Sequence, residues 1–137
     1  MGFLNRFRKK EVKEKPVEKK KEKAAEMTDL EKLCMGDKEV YDALRKVMLL
    51  DPRKIEGSMK DAGKKAKEYE KEGDKLRALT WYESAGRLAI YEGNVKKVEK
   101  YFGKCAELSP DKDYAILKIA EKAVSKAQEY YREFLKE

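Results

Sequence analysis

Between residues 76 and 90 the apolar and small side chains Leu76, Leu79, Tyr82, Ala85, Gly86, Ala89 and Ile90 recur every three or four positions, the period of one face of an α-helix. Ile116, Ile119, Ala120, Ala123, Ala127, Tyr130, Tyr131 and Phe134 repeat that spacing near the C-terminus. Nowhere does an apolar-polar alternation last long enough to make a strand. The pattern predicts an all-α chain whose stripes form the core.

Stop and start signals divide the stripes. Thr28 and Glu31 have capping-box spacing and open a short helix through Met35. Gly36 can close it in the left-handed conformation, and Asp37 can cap the next helix, running to about Leu50. Asp51-Pro52 ends that helix, because proline lacks an amide donor and disfavours helical geometry in the residue before it. Ser58 with Asp61 starts a third helix that stops at Gly73, Asp74 caps a long fourth to near Glu92, and Gly93-Asn94 precede a fifth from Val95 to about Leu108. Ser109-Pro110 then reads as N-cap and first-turn proline of a last helix continuing almost to Glu137. The short connections predict antiparallel neighbours. Residues 27–137 are therefore expected to form about six helices, as antiparallel hairpins stacked into a right-handed superhelix or as a compact bundle.

Three helices share one spacing. Val40, Leu44, Val47 and Pro52, then Ala78, Tyr82, Ala85 and Ile90, then Val98, Phe102, Cys105 and Pro110 each step by 4, 3 and 5 residues. Each set follows a Gly-Asp or Gly-Asn turn. YDALRKVMLLDP and VEKYFGKCAELSP resemble the second helix and terminal proline of a tetratricopeptide repeat, and Ala66 with Tyr69 stand where that family has a small residue and an aromatic in its first helix. Small residues at helix crossings, Gly86 among them, let helices approach closely. The glycine turns lie 37 and 20 residues apart where a regular array needs about 34, so Asp74–Glu92 serves two units and the last helix is expected to act as a polar-faced cap. LTWYESAGRLAIYEGN also looks like soluble NSF-attachment proteins, and ILKIAEKAVSKAQEYYREFLKE is similar to the third helix of microtubule-interacting-and-trafficking domains. These resemblances imply a helical adaptor or scaffold that binds other proteins.

Charge separates the first 26 residues from the rest. The net charge of +7 is concentrated there, with ten Lys/Arg against five Glu. Lys9 to Lys23 is a Lys/Glu/Val stretch with little to bury, expected to be a disordered basic tether. At its tip Phe3, Leu4 and Phe7 stand beside Arg6, Arg8, Lys9 and Lys10, a segment suited either to an anionic membrane surface or to a partner's groove. In residues 27–137 Lys and Glu interleave, which points away from specific nucleic-acid recognition; salt-sensitive, nonspecific binding by the tail is the lesser alternative.

Candidate chemistry is thin. The chain has no His and only two Cys, Cys34 and Cys105, without metal-ligand spacing. No Gly-rich phosphate loop or nucleophile-base pair is present, so neither catalysis, a cofactor nor a metal is expected. Nor is there an apolar run long enough to span a membrane or a secretory signal; the expectation is a cytoplasmic protein, with peripheral attachment to the inner membrane face as the tail's alternative. The Lys/Glu-rich, His-free composition is of the kind thermophilic proteins share.

Two features remain as candidates for partner binding. Lys60, Lys64, Lys67 and Lys71 form a row on the third helix at spacings of 4, 3 and 4, either a solvated face or the seat of an acidic peptide or amphipathic helix. Trp81, the only tryptophan, points about 100° away from Tyr82 on the fourth helix, as an exposed interface anchor or as packing against the next hairpin.

Overall fold

The computed structural model describes residues 28–135, and every regular element in that span is helical. In order these are α1 (Asp29–Leu33), α2 (Lys38–Val47), a 3-10 turn (Pro52–Lys54), α3 (Met59–Lys71), α4 (Lys75–Glu92), α5 (Val95–Leu108), a second 3-10 turn (Ala115–Lys118) and α6 (Ala120–Phe134). The described residues fall into two units, 28–32 and 33–135. In the first, the Glu31 amide donates to Thr28 Oγ1 at 3.1 Å, half of a capping box.

In the second unit four of the helices, α2 to α5, begin where side-chain caps are available. Asp37, Ser58, Asp74 and Asn94 accept the amides of Val40, Asp61, Arg77 and Lys97 at 3.1–3.3 Å, satisfying donors that the first turn of a helix leaves free. At the other ends Gly73 and Gly93 adopt φ of 83° and 73°. There the amides of Asp74 and Asn94 reach back to the carbonyls of Tyr69 and Ala89, the closure that a left-handed residue permits.

Two boundaries depart from expectation. α2 stops at Val47 rather than near Leu50, with Met48 extended. The freed carbonyls are taken by distant side chains: Arg87 Nε donates to Val47 O at 3.0 Å and the Tyr131 hydroxyl to Leu49 O at 2.7 Å. Ser109-Pro110 does not start the last helix. Ser109 is the C-cap of α5, Pro110 is exposed, and α6 begins only at Ala120 without a side-chain cap. The intervening chain instead buries Tyr114 and Ile116; the Tyr114 ring centre lies 5.9 Å from that of Phe102. Burying two large side chains is worth several kcal/mol, roughly 1.5–3 each, against about 1 for a local cap.

Packing closes the unit into a compact bundle. α3 lies along α4 and α4 along α5, while α2 packs chiefly against α6 and the second 3-10 turn. The residues singled out for packing are buried: Val40, Leu44, Val47, Ala66, Ala78, Tyr82, Ala85, Gly86, Val98, Phe102 and Cys105, with Tyr69 half-buried. α6 buries Ala123, Ala127 and Tyr131 and turns Glu121, Lys122 and Arg132 to solvent.

Leu76 is the exception within the α4 stripe, 75% exposed. At about 100° per residue, two successive steps of three leave it about 120° from Tyr82, off the buried face. Phe134, 40% exposed, is likewise at the margin, its ring centre 5.0 Å from that of Tyr130.

Candidate partner-binding surface

α3 is rich in the helix formers Lys, Glu and Ala and carries Gly63 on its inner face. A Cβ at Gly63 would sit 2.7 Å from the Tyr101 hydroxyl, so the glycine leaves room for the side chain that α5 sends to α3. The two helices flank α4 and run in the same direction, since each is antiparallel to it. Tyr101 is buried between them, its ring centre 6.3 Å from that of Tyr82.

Lys60, Lys64, Lys67 and Lys71 are all exposed along α3, with different neighbours along its length. Lys64 joins Trp81 in an open depression of about 460 Å³, whose rim also carries Glu56, Asp61, Lys65 and Glu68. Trp81 is half-buried, and the Lys65 ammonium lies 4.9 Å from the indole centre, within the range of a cation–π contact. It lies between the core and solvent, with Lys65 over its ring and the depression beside it. The rim carries both signs of charge, with three carboxylates against two lysines.

Lys67 belongs to a different place, the seam between α3 and α5. There Glu70 ties three helices together. It accepts the Tyr82 hydroxyl at 2.7 Å on one oxygen and Lys104 Nζ at 3.2 Å on the other. These two partners, the Tyr82 hydroxyl foremost, hold its carboxyl below the usual range. Lys97 and Lys100 of α5 line the same seam. The ammonium of Lys100 is 5.5 Å from the Tyr101 ring centre, and its pKa is pushed down first by Lys97, then by burial and by Lys67.

Sequence reasoning missed this seam. Its one sequence signal was Gly63, a glycine inside a helix, whose cost relative to alanine asks for a packing reason. Nothing local distinguishes Lys97 and Lys100 from the other lysines.

Elsewhere the surface is more balanced. A larger open depression of about 960 Å³ runs along Val95, Leu117, Ile119 and Ser125, and its rim interleaves Lys96, Lys118 and Lys122 with Glu99 and Glu121. Glu83 accepts the Tyr114 hydroxyl at 2.7 Å and lies 3.6 Å from Lys112, an internal tie. Cys34 and Cys105 are free and buried, and burial pushes the Cys105 thiol up to about 12. Among the described residues, no group of three or more Cys, Asp or Glu could hold a metal ion, and no helix is long and apolar enough to cross a membrane. The tail residues Phe3, Leu4, Arg6, Phe7, Arg8, Lys9 and Lys10 lie outside the described residues.

No protein-family model matches the chain. No significant match appears among curated proteins or among solved structures.

Proposed function

We propose that this chain is a non-enzymatic protein–protein interaction module, an adaptor or scaffold, that receives a partner's segment along the outer face of α3. The observation that carries the reading is Trp81. A half-exposed indole, steadied by Lys65 at 4.9 Å and bordering a depression of about 460 Å³, has the form of an interface anchor: a large rigid apolar face whose ordering is already complete before binding. The mixed-charge rim of Lys64, Lys65, Asp61 and Glu68 supplies polar groups of the kind that surround such anchors. The resemblance of roughly residues 28–110 to tetratricopeptide repeats points the same way.

The test uses the full chain as bait in its source lysate after nuclease treatment, beside Trp81→Ala. A discrete protein held by the wild type at high salt and lost with Trp81→Ala supports the reading. Retention that ignores Trp81, or recovery of lipid or nucleic acid alone, overturns it.

A further inference from the structure

We propose that the seam between α3 and α5 is a recognition strip for an acidic, Glu/Asp-rich segment of a partner protein, with Lys67, Lys97 and Lys100 as its cations. The proposal deepens the interaction reading above and rests on it: the strip adjoins the Trp81 depression through Lys64, which neighbours Lys67 by one helical turn.

Geometry sets the three lysines along one seam, Lys67 between Gly63 and Glu70 on α3 and Lys97 and Lys100 beside Tyr101 on α5. Gly63 lets Tyr101 into direct contact with α3, and Lys104 spans the same seam to reach Glu70 at 3.2 Å. Lys67 follows Gly63 by one turn, Lys97 precedes Tyr101 by one turn, and Lys100 adjoins it. Tyr82 and Lys104 occupy both oxygens of Glu70, so that carboxylate is already committed. Among the described residues, no ion pair joins Lys67, Lys97 or Lys100 to a carboxylate. The depressed pKa of Lys100, caused first by Lys97 and then by burial and Lys67, reports cations crowded against one another. Incoming carboxylates relieve that repulsion as well as adding attraction.

Charge also decides the occupant. The chain's own residues 1–26 carry ten Lys/Arg against five Glu, so they would add to the repulsion. Tyr101 is only 6% exposed, which leaves the strip without a stacking ring for the bases of a single-stranded nucleic acid. An acidic helix with carboxylates one turn apart matches the one-turn spacing of Lys97 and Lys100.

Fluorescence anisotropy tests this with the full chain and a labelled, end-blocked helical peptide of Glu, Ala and Leu, at about 50 mM salt where screening is weak. Its Glu→Gln counterpart serves as control. The Glu peptide should bind and its counterpart should not. Lys97→Gln with Lys100→Gln should weaken binding about three- to thirty-fold, while Lys46→Gln with Lys118→Gln, the same charge removed elsewhere, should change it less than about twofold. Circular dichroism confirms folding; removing mutually repelling cations should leave the melting temperature unchanged or higher. Equal loss from both double variants, no loss from either, or no binding of the Glu peptide overturns the proposal. So does tighter, Lys97- and Lys100-dependent binding of a thymidine oligonucleotide or of phosphatidylserine vesicles. Failure here with Trp81-dependent capture intact would leave the interaction module standing. Lysate capture that ignores Trp81 would remove the module reading, even with the peptide results as expected.

Discussion

Gly86→Ala against Gly103→Ala isolates one packing contact. A Cβ at Gly86 would lie 2.6, 2.7 and 2.9 Å from three atoms of the Phe102 ring, where carbon atoms normally rest about 3.5–4.0 Å apart. The ring must retreat by about 1 Å, yet Phe102 is fully buried and its neighbour Tyr114 is anchored to Glu83. Such overpacking costs about 1–3 kcal/mol. Alanine in a helix interior returns about 0.8–1.0 kcal/mol relative to glycine. Gly103 is also inside a helix, but a Cβ there meets nothing within 4 Å, so Gly103→Ala should stabilise by about that amount. The propensity gain is common to both, and the difference between the variants is the overpacking cost itself. Gly86→Ala should therefore be less stable than Gly103→Ala by about 1–3 kcal/mol, or roughly 4–8 °C in melting temperature for each kcal/mol in a domain of this size. Urea titrations followed by circular dichroism and by Trp81 emission measure it. A difference below about 0.5 kcal/mol would refute the close approach of α4 and α5 on which the packing account depends. Phe102→Leu in the Gly86→Ala background should cost less than in the wild type.

Tyr82→Phe should destabilise by about 1–2 kcal/mol near neutral pH by removing the hydroxyl from Glu70. Because that bond lowers the folded pKa of Glu70, its contribution is complete above the ordinary value of 4.5 and is lost as pH falls through the lowered one; denaturation at stepped pH should show the gap narrowing in acid, and a constant gap would count against the bond. Gln128→Ala should cost about 1–2 kcal/mol, since its amide donates to the Ile90 and Tyr91 carbonyls at 2.8 and 2.9 Å where α4 ends; an unchanged urea midpoint would contradict this. Cys105, buried and with its thiol pushed up to about 12, should resist Ellman's reagent in the native protein and react once urea unfolds it. Rapid native labelling would place it at the surface.

The lysines show how far a pattern can be carried. Their spacing on α3 put all four on an exposed flank, and their neighbours differ: Lys64 lies on a rim with three carboxylates, and Lys67 beside a seam supplied half by α5. What a lysine faces depends on which helix lies alongside, and α5 begins 28 residues after Lys67. Trp81 was left between two readings for a similar reason, since the lysine that covers one face of its ring comes from the neighbouring helix.

By itself the sequence determined the helical class, four N-caps, the glycine stops and nearly all of the buried stripe. These are local matters: a first-turn amide needs an acceptor within three residues, a helix end needs a left-handed residue, and a 3.6-residue period selects a face. Tertiary structure alone decided that α2 lies on α6, that Tyr114 and Ile116 override the Ser109-Pro110 start, and that α2 ends early against Arg87 and Tyr131. It also decided that Lys67, Lys97 and Lys100 line one seam. The Tyr131 hydroxyl and the Leu49 carbonyl are 82 residues apart along the chain. No local spacing encodes such a pairing, because its energy exists only after burial has brought the two segments together and excluded the water that would otherwise satisfy both groups.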